Sequence, residues 1–283
     1  MERGVTAAPA GERADDLLRQ RYGFDGAPAL AQWNETLDVL LSHRSVRAYL
    51  PDPLPEGALE TLVAAAQSAP SSSNLQAWSV VAVEDPARKA RLAALAGGQN
   101  HILQAPLFLV WLADLARIEA LASEMGRQAA AISYLECFLV GVIDAALAAQ
   151  NAMTALESMG LGAVYVGAIR NKPLEVAAEL ETPPRVFAAF GMAVGRPDPS
   201  VETAIRPRLP QRAALHRERY AWGDAQREAV ARYDERHRAF QQERGAPARN
   251  WSAQCVTRMK GPERLSGRDR LSETLHALGF ELK

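Results

Sequence analysis

Cysteine is nearly absent from this 283-residue chain. Cys137 and Cys255 are the only two, too few for a disulfide scaffold and compatible with a reducing compartment. There is no Cys-x-x-Cys and no His-Glu-x-x-His, so no metal site is readable. A Gly-x-Ser-x-Gly elbow and a Walker loop are missing too. Charge of one sign is also lacking. The net formal charge is −1, which offers no global field for nucleic acid. No apolar stretch near the N-terminus resembles a signal peptide, so the expectation is a cytoplasmic protein. The main apolar run, 137–149, is interrupted by Asp144. It falls short of the roughly 20 residues a bilayer requires, so no membrane association is expected.

What is present centres on 134–170. Leu135, Phe138, Leu139, Val142, Ile143, Leu147, Met153 and Leu156 lie on almost every side of one predicted helix. A helix apolar all round belongs in a large core. Gly160 and Gly162 are expected to end it. A strand follows at 163–166, and Gly167 is placed where backbone could lie close against a flat ligand.

The rest of the chain is expected to wrap this helix. Residues 1–30 read as an extension or arm with a short helix at 14–22. Asn34 is a candidate cap for a helix carrying Leu37, Leu40 and Leu41. Helices are predicted at 56–67, 86–95, 115–125 and 173–180, and strands at 78–83, 107–112, 163–166 and 187–194. This alternation argues for a sheet flanked by helices. Beyond residue 211 only helices are expected, at 211–220, 225–243 and 252–279. From Arg206 to Arg270 there are 16 Lys and Arg against 8 Asp and Glu. That excess fits solvated helix faces, or a local attraction for an anionic group such as a cofactor phosphate.

Four polar islands interrupt the apolar scaffold. His43–Arg47 packs two guanidiniums and a hydroxyl into five residues, and guanidinium forks suit phosphate and carbonyl oxygens. Residues 70–76 bring hydroxyls and amides that could bond the edge of a heteroaromatic ring. Residues 97–101 carry amides and an imidazole. Arg206-Pro207-Arg208 holds two guanidiniums apart on stiff backbone. Taken singly, none is specific: an exposed helix end would account for the first, a polar turn for the second and a surface loop for the fourth.

Their order is more specific. HRSVRAY (43–49), APSSSNLQAW (69–78), GGQNHILQAP (97–106), the stretch 136–171, FGMAVGRP (190–197) and RPRLP (206–210) occur in one succession. In this the chain resembles the nitroreductase and flavin reductase superfamily. It is most similar to the NADPH-preferring, oxygen-insensitive nitroreductases related to flavin reductase P. The resemblance covers roughly residues 34–280.

That resemblance implies an α+β nitroreductase fold, with a central, mostly antiparallel sheet flanked by helices, in a domain-sharing homodimer that binds FMN between subunits. Residues 1–33 would be an N-terminal extension, 34–210 the FMN-binding core, and 211–283 a C-terminal helical excursion and tail. His43, Arg44, Ser45 and Arg47 would hold FMN, with Arg47 near the pyrimidine edge. Ser71, Ser72 and Asn74 would reach the FMN bound mainly by the other subunit. Gln99, Asn100 and His101 would line the ribityl and ring region. Tyr165, Val166, Gly167 and Ala168 would lie along the ring, a backbone N–H there bonding N5. Arg206, Pro207 and Arg208 would clamp the phosphate. Arg249, then Arg244, would contact the 2′-phosphate of NADPH. The sequence departs from the family pattern at Ala168, where a second Gly is usual, and at Arg206 and Asn100, where Lys is usual. Glu136 matches a position beside the active site, and also suits a structural carboxylate at a helix N-terminus.

No catalytic side chain is implied, because the flavin carries the redox chemistry. The expected reaction is two-electron, ping-pong reduction of nitroaromatics or quinones by NADPH. The alternative is an NADPH:flavin reductase that supplies reduced FMN to a partner monooxygenase. A flavin-binding carrier or sensor without turnover is a third reading.

Overall fold

The computed structural model describes residues 11–23 and 27–283. The first ten residues of the expected extension, and residues 24–26, lie outside them. The described chain forms two compact units. One combines the residues up to Arg44 with Thr203–Arg264, the other Ser45–Glu202 with Leu265–Lys283.

The second unit holds a four-stranded sheet: β1 (Trp78–Val83), β2 (Leu107–Asp114), β3 (Gly162–Val166) and β4 (Val186–Gly195). Their order is β1-β2-β4-β3, every pair antiparallel. Because side chains alternate along a strand, the sheet feeds two cores. Phe108, Val110, Leu112, Val164, Val166 and Ala193 meet Leu92, Ile102 and Val176 from the flanking helices. On the opposite face, Leu109, Trp111, Ala163, Met192 and Val194 meet Leu62 and Ala66 of the helix Ala58–Gln67 and Ala148, Ala152 and Met153 of the central helix, Leu135–Ser158. Covered on both faces, β2 and β4 read as nearly continuous apolar runs.

The central helix is only half buried. Its sheet-facing side carries Gly141, Asp144, Ala145, Ala148, Ala152 and Leu156. The other side exposes Leu135, Leu139, Ile143 and Leu147, by 39–53%, because the sheet covers one face only. By length and apolarity this helix would pass as a membrane span, but half of that window is buried in the fold. Gly160, at φ +73°, closes it as expected. Gly162 does not: it opens β3, where an added Cβ would stand 2.5 Å from Val46 Cγ2.

The tail packs back onto this unit. Phe280 meets Phe138 edge to face at 5.1 Å between centroids. The Lys283 N–H donates to Ser133 (3.0 Å), and the Leu135 N–H donates to the Lys283 carbonyl (3.2 Å).

The first unit is helical: Glu12–Tyr22, Glu35–Ser42, Asp224–Glu243 and Trp251–Arg258. Asn34 caps the second of these by accepting from the Leu37 N–H at 2.9 Å. The described part of the extension is docked, with Ala14, Leu17 and Leu18 buried. Two expected helices fail. Residues 211–220 make only a 3-10 turn, Gln211–Ala213, and Glu218 takes a left-handed φ of +62°. Residues 252–279 break after Arg258 at Gly261-Pro262 and again at Gly267 (φ +84°), resuming at Leu271–Ala277.

Candidate functional site

In the second unit, extended backbone at 45–47 runs beside β3. The Val46 N–H donates to the Ala163 carbonyl (3.0 Å), and the Val46 side chain is buried against Gly162. Alternation then leaves Ser45 and Arg47 exposed. Arg47 has no carboxylate partner among the described residues, and its charge reaches His101. Burial, then Arg47, pushes the His101 imidazole below its ordinary pKa, so it is neutral near pH 7. His101 belongs to a short helix, Asn100–Gln104, flanked by Gln99. Gly97 and Gly98, at φ +78° and +77°, turn the chain into it. Left-handed backbone of this kind suits glycine.

After β3 the chain tightens into a 3-10 turn, Gly167–Asn171. Tyr165 stays partly exposed and meets Phe190 edge to face at 5.4 Å. Two arginines not foreseen from the sequence stand here. A Cβ on Gly167 would lie 3.4 Å from Arg170 Nη2 and 3.8 Å from Arg268 Nη1. Arg170 is anchored by donating to the Ala189 carbonyl. Ala189 is free to accept because the β2–β4 register skips it, pairing Trp111 with Phe190 and Leu112 with Ala188. Burial, and secondarily the Arg268 charge, lower the Arg170 pKa.

The loop 71–77 is organised by a third unforeseen residue. Asp144 is 2% exposed and accepts from Ser71 Oγ (2.7 Å), the Ala77 N–H (2.9 Å) and the Ser72 N–H (3.4 Å). Ser71 Oγ in turn accepts from the Gln76 N–H at 2.8 Å. The Ser71 hydroxyl therefore serves the loop, while Ser72 and Asn74 are exposed on a turn where Ser73, Asn74 and Gln76 have positive φ. The sequence signal was a lone carboxylate inside an apolar helix. Glu136 is exposed in the first turn of the same helix, without a partner among the described residues.

In the first unit, the backbone of 206–208 is gripped from both sides. The Arg206 carbonyl accepts from Arg21 Nη1 (2.9 Å), the Arg208 N–H donates to the Arg21 carbonyl (2.8 Å), and the Pro207 carbonyl accepts from Tyr233 Oη (2.9 Å). Arg206 and Arg208 are exposed and have no carboxylate partner among the described residues. Arg44 Nε donates to Thr203 Oγ1 at 2.8 Å, and the His43 carbonyl accepts from Arg21 Nη2 at 3.0 Å. The basic stretch 244–249 is pinned at both ends. The Ala246 N–H donates to the Gln241 carbonyl (2.8 Å), and the Arg249 N–H to Gln241 Oε1 (2.6 Å). Asp234 holds the start of the next helix, accepting from the Ser252 N–H at 2.9 Å. Arg249 itself is exposed.

Comparison with known proteins gives one answer. The nitroreductase family matches residues 40–196, and the C-terminal domain of that family matches 206–283. An FMN reductase (NADPH) of Bacillus subtilis is 39% identical over 244 residues, 85% of this chain and 97% of the relative. An oxygen-insensitive NADPH nitroreductase of Salmonella typhimurium is 37% identical over 219 residues, 77% and 88% respectively. Among solved structures, a nitroreductase of Bacillus subtilis superposes with a TM-score of 0.82 at 38% identity, covering 88% of this chain and 100% of that one. The NADPH:FMN oxidoreductase of Vibrio harveyi complexed with NAD+ gives 0.77 at 30% identity, over 88% and 100%. In sequence and in fold, the chain belongs to the nitroreductase family.

Proposed function

We propose that this protein is an FMN-containing, NADPH-dependent oxidoreductase that reduces nitroaromatics or quinones, acting as a homodimer in the cytoplasm. One observation carries the reading: a donor set without carboxylates of its own. Arg47, Arg206 and Arg208 are exposed and lack carboxylate partners among the described residues, whereas Arg88, Arg91, Arg185 and Arg236 are ion-paired. Guanidinium forks together with the amides of Gln99 and Asn100 suit phosphate and pyrimidine carbonyl oxygens. The residues therefore fit FMN.

Bound FMN supplies the hydride relay between NADPH and the acceptor. The chain's own residues bind and orient. Arg206 and Arg208, kept apart by Pro207, hold the phosphate with His43 and Arg44. Ser45 and Arg47 serve the pyrimidine edge, where the guanidinium stabilises arriving negative charge. Neutral His101, with Gln99 and Asn100, lines the ribityl side. Tyr165 and the backbone of Val166, Gly167 and Ala168 border the ring, and Arg170 and Arg268 add positive charge beside Gly167. Ser71 shapes the turn that presents Ser72 and Asn74 to the partner's cofactor, and Glu136 borders the same groove. By function, residues 34–210 supply the cofactor core and 211–283 cover it, with Arg249, then Arg244, meeting the NADPH 2′-phosphate.

The exposed stripe Leu135, Leu139, Ile143 and Leu147 supports the dimer, since an apolar row of this kind marks an association surface. The relative named FMN reductase supports a second acceptor, free flavin. Purified protein should be yellow and should bleach under anaerobic NADPH. Turnover of a nitro compound without added flavin selects the first reading, and a requirement for added flavin selects the second. Arg249→Ala should raise the KM for NADPH far more than that for NADH. Equal effects reject Arg249.

A further inference from the structure

The first unit contains a cavity of about 820 Å³ lined by five arginines, Arg19, Arg208, Arg212, Arg232 and Arg236. Among the described residues, two carboxylates, Glu235 and Glu243, line it with them. Three of the cations are neutralised: Arg236 by Glu243 (2.9 Å), Arg232 by Glu228 (2.7 Å) and Arg19 by Asp16. Arg208 and Arg212 have no carboxylate partner among the described residues. Both are held in place by their backbones. The Arg208 N–H donates to the Arg21 carbonyl (2.8 Å), and the Arg212 carbonyl accepts from Gln226 Nε2 (3.3 Å). Like charges gathered around one cavity repel unless an anion joins them. The wall bearing Arg19 and Tyr22 belongs to the helix Glu12–Tyr22, outside both regions matched by the nitroreductase family.

We propose that this cavity is a binding site for a phosphate cluster, the pyrophosphate of a nucleotide-like ligand, built by the N-terminal extension against residues 208–212 and the helix Asp224–Glu243. Guanidiniums carried on a fixed backbone, in surplus over the carboxylates that line the cavity, recognise phosphate oxygens bidentately, and Tyr22 gives the ligand an aromatic flank. Arg208 also belongs to the proposed cofactor set, so the test leaves it intact.

The protein as purified, with the flavin it carries, is titrated calorimetrically with inorganic pyrophosphate at low ionic strength, alongside Arg212→Gln and Arg19→Gln. The expected result is one pyrophosphate per chain, bound more weakly as salt rises and roughly tenfold more weakly in Arg212→Gln, with flavin content unchanged. NADP+ separates the two sources of such a group. Competition between NADP+ and pyrophosphate, both weakened by Arg212→Gln, makes the cavity part of the cosubstrate site. Independent binding makes it a site for another phosphorylated metabolite. Absence of binding, or equal binding by wild type and both variants, overturns the proposal. A colourless protein that still binds pyrophosphate through Arg212 rejects the flavin assignment and keeps this one.

Discussion

Asp144 shows how much one side chain organises. Three donors converge on a carboxylate buried in the middle of an apolar helix. Asp144→Ala would strand them at a cost of roughly 3 kcal/mol, measurable as a lower denaturation midpoint. The variant should also lose ordered structure at 71–77, visible as faster amide exchange there. In the proposed cofactor site Arg47 would act through charge. Arg47→Gln should weaken FMN retention roughly tenfold, about 1.4 kcal/mol, while leaving the melting curve of the flavin-free protein in place. Burial lowers the pKa of His101 and of His237, Arg47 and Arg206 respectively adding to the effect. In the unfolded chain both protonate near pH 6.5. The unfolded state therefore binds more protons below that pH, and stability that is full above it declines as the pH falls. Chemical denaturation at descending pH should show this decline, and a His101→Asn, His237→Asn double variant should flatten it. Of these residues, Arg47 and His101 were visible in the sequence because polar islands contrast with apolar surroundings. Asp144 was visible only as an interruption, since its partners lie some seventy positions away. Arg170 and Arg268 gave no signal, because nothing local brings position 268 beside Gly167.

At the scale of elements, β2 and β4 were legible because burial on both faces leaves an apolar run that few other structures tolerate. β1 matches its predicted span, and the other three strands gain one or two residues at an end. The C-terminal helices were less legible. An Arg-rich stretch such as 211–220 has good helix formers and no apolar face to hold them, so Glu218 turns out of register. The skipped residue Ala189 was invisible too, since a bulge is a property of a pair of strands. Its carbonyl fixes Arg170, so the irregularity aims a charge. Elsewhere the sheet has no slack: a Cβ on Gly191 would stand 2.2 Å from Phe108 Cζ. Gly191→Ala should destabilise by about 2–3 kcal/mol through overpacking, read as a drop in thermal midpoint without loss of strand content by circular dichroism.

At the scale of the whole molecule, the row of exposed leucines and isoleucine on the central helix would govern the proposed dimer. Ile143, at 53% exposure, is the most open of them and lies outside the proposed cofactor set. Ile143→Glu should convert a dimer to monomers in sedimentation and lower flavin affinity with it, because the 71–77 turn would then have no neighbour's cofactor to reach. A variant that stays dimeric would place the interface elsewhere.

The unit that carries the sheet is discontinuous. Its last piece, Leu265–Lys283, is the part that sets Phe280 on Phe138 and ties Lys283 to Ser133 and Leu135. During synthesis this piece emerges after the rest of its unit, so the nascent chain must present an uncovered aromatic face and an untied helix start until residues 265–283 have left the ribosome. Chaperone dependence in the cell should therefore track the tail. Nascent chains stalled before Leu265 should be held by a chaperone that releases the finished protein.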